Sequence, residues 1–183
     1  LDANIAAMAG MAAQDGLKLR PHTKVHKSTY VSELQLQAGA CGVSVSKLSE
    51  AAVYADAGQR DIMVVHPFYG HHKLAALRAL IPRADISCAV DSVKGAEGIA
   101  EAGRGAGVSV PVLLKIDTVC NRFGVPGGEP ALRIAREINR MTGVELVGII
   151  THECVTDQTS AEGVERVAYE SASTMSATAR ALR

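Results

Sequence analysis

The sequence has no tryptophan and only two phenylalanines, and aromatic residues make up 3% of it. A core without large rings has to be filled by many small and branched side chains, so Ala, Val, Ile and Leu must carry it. Nor is there an excess of charge: 19 basic residues balance 19 acidic ones. Nucleic-acid binders usually show a basic excess, and the balance argues against that class. No apolar run approaches the roughly 18 residues that a membrane-spanning helix needs. Cysteine is sparse: Cys41, Cys88, Cys120 and Cys154 form no Cys-x-x-Cys pair. That spacing suits neither a zinc ribbon nor a disulfide scaffold and predicts reduced thiols in a cytoplasmic protein. Disorder is excluded as well, because 48% of the 183 residues are hydrophobic, and the length allows one domain.

What the sequence does have is alternation. Residues 1–15 carry Ala and Met at helical spacing, and residues 17–24 predict a strand. The pattern continues with helix 28–39, strand 41–47, helix 48–58, strand 61–68, helix 71–82 and strand 85–92. Helix 93–105, strand 110–118, a Gly/Pro loop at 124–130, helix 129–142, strand 144–152 and helix 160–183 complete it. Strands each followed by a helix imply a parallel sheet with right-handed crossovers. Two architectures fit, an open doubly wound sheet or part of a (β/α)8 barrel. The glycine-rich stretch 103–108 follows a helix and precedes a strand, the reverse of a dinucleotide fingerprint, and predicts a helix stop.

Lys24, Lys47, His66, Asp91, Asp117 and His152 all lie at or near predicted C-terminal strand ends. Both architectures keep active sites there, although loops at strand ends are wet in any case. The strongest signal is RPHTKVHK at residues 20–27. In an extended strand Arg20, His22 and Lys24 share one face, and Leu17 and Leu19 the other. Crowded cations would favour a neutral lysine amine, which Schiff-base chemistry needs; a solvated basic edge strand is the plainer alternative. Lys27 and Ser28 read as solvated. A second signal is KIDTVCNRFG at residues 115–124, where Arg122 either pairs an anionic oxygen or caps a helix. In IITHE, residues 149–153, His152 either serves a planar ligand or proton transfer, or is satisfied by a backbone carbonyl. His71 and His72 sit on neighbouring helical positions that face apart, a poor basis for a metal site.

RPHTKVHK, then AGACGVSVSKLSEAAVYADAG, AVDS, KIDT with NRFGV, and GIITHE, in that order, resemble the D-threonine aldolase and D-serine dehydratase family. That family is similar to alanine racemase in its N-terminal barrel and belongs to the fold-type III pyridoxal-phosphate enzymes. The resemblance implies an α/β fold, an incomplete (β/α)8 barrel of six parallel units filling residues 1–183. It implies that Lys24 holds pyridoxal 5'-phosphate, that Arg122 approaches the cofactor's phenolic oxygen and that His152, with Thr151 beside it, lies near the cofactor ring. His22 would stand in the same pocket as a catalytic neighbour of Lys24.

The implied activity is that of a lyase on D-3-hydroxy amino acids, foremost aldol cleavage of D-threonine-type substrates to glycine and an aldehyde. A D-serine or 3-hydroxyaspartate dehydratase and a non-catalytic pyridoxal-phosphate homeostasis protein are the alternatives. The family usually reads THxGHxY where this chain reads THECVTD, and usually has Gly where Val119 stands. These departures bear on substrate contacts, with Cys154, Val155 and Asp157 nearby. The start at Leu1 reads as mid-helix, and the remaining barrel units and a C-terminal β domain are expected outside this chain. That domain would carry the ligands of a divalent metal (manganese, magnesium or zinc), and none are expected here. A cytoplasmic homodimer is expected for the full-length protein, with no nucleic-acid or membrane partner.

Overall fold

The computed structural model describes residues 1–153 and 160–183, so the expectations for Cys154, Val155 and Asp157 lie outside the described residues. The chain forms two compact units. One holds Leu1–His66 and His71–Ser87, the other Pro67–Gly70 and Cys88–Arg183.

The first unit runs α1 (Asp2–Gln14), α2 (Thr29–Gln37), β1 (Val43–Val45), α3 (Leu48–Asp56), β2 (Asp61–Val64), α4 (His71–Leu80) and the start of β3 (Asp85–Val90). β1 and β2 are parallel, with Val43 opposite Ile62 and Val45 opposite Val64. All four side chains are fully buried. Every residue of β1 is buried, as a strand covered on both faces requires. α3 buries Leu48, Ala51 and Tyr54, one stripe at helical spacing. α1 forms as its composition predicts but buries no residue.

The second unit continues from β3 through α5 (Val93–Ala106), β4 (Val110–Asp117), β5 (Val125–Pro126), α6 (Glu129–Ile138), β6 (Val144–Ile150) and α7 (Ala161–Ala181). β4 is its spine. It pairs in parallel with β3 (Cys88 opposite Val112), with β6 (Val110 opposite Val144) and, at its end, with β5. A register irregularity at Val112/Leu113 interrupts the β4–β6 pairing. Within this unit the strand path is β3-β4-β5, with β6 on β4. Serines open α5 and α7: Ser92 accepts from Gly95 N at 3.2 Å, and Ser160 accepts from Gly163 N at 3.1 Å.

The structure departs from the expected elements in particular places. Residues 17–24 do not form a strand; a single bridge joins His22 to Ser44. Pro21 removes a donor there, and a turn begins at Thr23, with Lys27 N donating to Thr23 O at 2.8 Å. β2 stops at Val64, short of Pro67. β5 was not expected at all and lies inside the Gly/Pro loop. Ser28 is no idle surface residue, because its hydroxyl caps α2 by accepting from Val31 N at 3.3 Å. The stretch 103–108 does end a helix: α5 runs to Ala106 and Gly107 caps it.

Candidate functional site

In the first unit, the segment ahead of Lys24 is pinned along β1. Leu19 O accepts from Cys41 N at 2.9 Å, Pro21 O from Ser44 N at 2.8 Å, and Ser44 O from Thr23 N at 2.9 Å. Thr23 is buried, and its hydroxyl donates to the same Ser44 oxygen at 3.2 Å. The anchored backbone therefore ends at Thr23, and the turn that follows places Lys24 at the surface. The Lys24 ammonium has no ion-pair partner among the described residues. His22 Nδ1 accepts from Lys24 N at 3.2 Å, which puts the ring proton on Nε2 and ties the imidazole to the lysine's own backbone.

The expected crowd of cations does not form. Arg20 donates through both terminal nitrogens to the two oxygens of Asp61, each at 2.7 Å. That hydrogen bond raises the guanidinium pKa above its usual value, against the effect of its partial burial. With Arg20 engaged at the first residue of β2 and Lys24 turned out to solvent, the two no longer share a strand face. Lys27 is not purely solvated either; its ammonium lies 3.7 Å from Glu50 Oε1, while Glu50 Oε2 accepts from Ser46 N at 2.8 Å.

In the second unit, the end of β4 gathers the polar groups. Lys115 is buried, with Nζ 4.8 Å from the Phe123 ring centroid. The Arg122 guanidinium lies 4.5 Å from the same centroid, and Arg122 is exposed in the loop after the strand. The end of β6 lies beside it in the sheet. Thr151 shares a hydrogen bond of 3.0 Å with Thr118, and buried Ser171 on α7 donates to Thr118 at 3.2 Å. Thr151 is thus engaged with the strand-end hydroxyls that dock α7, and His152 follows it, half-buried.

Some groups at these strand ends carry no periodic signal. Tyr69, in the loop after β2, donates to Asp91 at the end of β3 and contacts Ser92 Oγ at 3.2 Å. Burial and the Asp91 carboxylate both push its phenol pKa up. Phe123 was likewise not singled out, although a lone aromatic beside an arginine in an aromatic-poor chain is a visible cue. The rings of His71 and His72, expected to face apart, lie 3.8 Å from each other. No group of three or more His, Cys, Asp and Glu poised for a metal occurs among the described residues. Cys41 and Cys88 are free thiols as expected, but Cys120 is disulfide-bonded, which corrects the reading of it as a reduced thiol.

In the first unit an accessible amine on an anchored turn suits a carbonyl carbon, and in the second a guanidinium held on a ring suits an anionic oxygen. Comparison with known proteins bears on what each serves. The chain is 34% identical over 148 residues to a D-threonine aldolase of an Arthrobacter species and 38% identical over 152 residues to the D-threo-3-hydroxyaspartate dehydratase of Delftia sp. HT23. Each match takes in 81% of this chain but only 39% and 40% of the relative, so the chain spans about two fifths of their length. The crystal structure of a D-threonine aldolase from Filomicrobium marinum superposes on the whole chain with a TM-score of 0.95 at 31% identity, covering 50% of that protein. Of the two architectures the alternation allowed, the match supports the one the resemblance implied, an incomplete parallel (β/α) barrel. With residues 1–182 matching the description "Alanine racemase, N-terminal domain" as one stretch, the chain belongs to that family.

Proposed function

We propose that this chain supplies the cofactor-bearing part of a pyridoxal-phosphate-dependent lyase that cleaves D-3-hydroxy amino acids, D-threonine-type substrates foremost, to glycine and an aldehyde. The observation that carries the reading is the presentation of Lys24. It sits one residue past a backbone pinned to β1, exposed and without an ion-pair partner among the described residues. A primary amine so placed fits an aldehyde cofactor. Pyridoxal phosphate, when bound, supplies the electron sink that stabilises charge at the substrate's Cα.

The protein's own residues do the rest. His22 braces the Lys24 backbone. Arg122, resting on the Phe123 ring, offers two donors to an anionic oxygen. His152, at the end of β6, is a proton carrier for the reacting face. Thr151 supports His152 through its bond to Thr118. A divalent metal in the complete protein would take its ligands outside this chain. The complete protein is proposed as a cytoplasmic homodimer acting on small D-amino acids; among the described residues no helix is long and apolar enough to cross a membrane.

The 38% identity to a D-threo-3-hydroxyaspartate dehydratase favours a second reading, elimination of water from a D-3-hydroxy amino acid followed by hydrolysis of the resulting imine to a 2-oxo acid and ammonia. One experiment separates the two. The complete polypeptide is incubated with pyridoxal phosphate, manganese and either D-threonine or D-threo-3-hydroxyaspartate. Glycine with an aldehyde is the expected outcome; a 2-oxo acid with ammonia supports the dehydratase. Cofactor binding without either product overturns the lyase and leaves a carrier.

A further inference from the structure

The loop that presents Arg122 is closed at its neck and tied down from within. β5 returns the chain to the end of β4, with Ile116 opposite Val125 and Asp117 opposite Pro126. Inside that neck a single carboxylate oxygen, Asp117 Oδ1, accepts from Cys120 N and from Asn121 N, each at 3.1 Å. Bonds to the amides three and four residues on bend the loop around that carboxylate. Asn121 takes the left-handed conformation (φ 47°), one that asparagine tolerates. Gly124 then lets the chain fold back on the strand: at φ 118°, a Cβ there would stand 2.8 Å from Asp117 N. Arg122 emerges between these fixed points, with its guanidinium on the Phe123 ring that also faces Lys115.

We infer that Asp117 is a positioning residue. Its carboxylate folds residues 117–121 so that Arg122 is held out as a fixed, ring-backed cation for an anionic oxygen of the bound ligand. The ligand in question rests on the reading of Arg122 as cofactor-facing; the shaping of the loop does not. Asp117 itself touches no ligand in this account. What matters is its acceptor oxygen, since two backbone amides are its partners.

The test compares Asp117→Asn, which keeps an acceptor oxygen and removes the charge, with Asp117→Ala, which removes the acceptor, in the complete polypeptide. The first readout needs no cofactor: nitrogen-15 relaxation at Arg122 Nε in the cofactor-free protein. Arg122 is expected to be ordered in the wild type and in D117N, and mobile in D117A. The second readout is the dissociation constant for pyridoxal phosphate, expected to rise about tenfold in D117A and to stay within about twofold in D117N. Phe123→Leu, which leaves the turn intact, is expected to loosen Arg122 and weaken binding about threefold. If D117A does not fold, Asp117→Ser replaces it, with a shorter reach and the same expected direction. Ordered Arg122 and unchanged binding in D117A would overturn the inference. So would equal losses in D117N and D117A, because they would make the charge, not the turn, the active feature. If Arg122→Ala binds pyridoxal phosphate as tightly as the wild type, the cofactor reading of Arg122 fails, and the relaxation readout still decides the role of Asp117.

Discussion

Two glycines in the same helix should respond to alanine with opposite signs. Gly103, buried on α5, meets the turn before β6 backbone to backbone. A Cβ at Gly103 would stand 2.8 Å from Val108 O and closer still to Gly143 O. Neither atom belongs to a flexible side chain, so relief requires α5 to move off the start of β6. Gly143, at φ 91°, is itself in a conformation that resists change. Overpacking of this kind costs about 3 kcal/mol. Gly105, two residues on, is exposed with open space where a Cβ would go. Alanine there relieves the helix-interior penalty of glycine and stabilises by about 0.5–1 kcal/mol. The two substitutions should therefore differ by about 4 kcal/mol. Urea unfolding followed by far-ultraviolet circular dichroism measures both, since the chain has no tryptophan to report. A Gly103→Ala variant within about 0.5 kcal/mol of the wild type would refute the packing argument, as would a destabilised Gly105→Ala.

Other outcomes follow from single contacts. Ser92→Ala removes the α5 cap and should cost about 1 kcal/mol, read as a shift in the urea midpoint. Asp61→Asn breaks the two-bond contact with Arg20, which is only partly buried; a loss of about 1 kcal/mol that shrinks at high salt is expected. Complete burial pushes the Cys88 thiol up to about 12, so it should resist alkylation in the folded protein while Cys41 reacts. Because the unfolded chain releases that proton near 9.0 and the folded one keeps it, this group's contribution to stability falls as pH rises above about 9. A rising contribution across that range would contradict the burial of Cys88.

Much of the fold was legible because an apolar run such as residues 110–117 reads as a covered strand, and residues 144–150 form a strand as expected although only Val144 of it is buried. The first expected strand was the instructive departure. Alternation in residues 17–24 suggested a shared face for Arg20, His22 and Lys24, yet side-chain partners far along the chain decided the matter. Asp61 captures Arg20 across 41 residues, and Thr23 closes on Ser44 across 21 residues. Periodicity carries no information about either partner. The candidate site divides the same way. Lys24 and Arg122 were visible from their motifs, whereas the Tyr69–Asp91 contact joins a loop to a strand end that no local spacing connects. Thr151 was read beside His152 as a cofactor contact, and the structure ties its hydroxyl to Thr118.

The central claim is that Lys24 carries the cofactor, and covalent capture tests it most directly. The complete polypeptide is loaded with pyridoxal phosphate, reduced with borohydride, digested and mapped by mass spectrometry. The account predicts a phosphopyridoxyl group on Lys24, the exposed residue that follows the pinned Thr23, and none in a Lys24→Ala variant. Label on Lys27, Lys47 or Lys115 instead, or a Lys24→Ala variant that takes up as much label as the wild type, would contradict it.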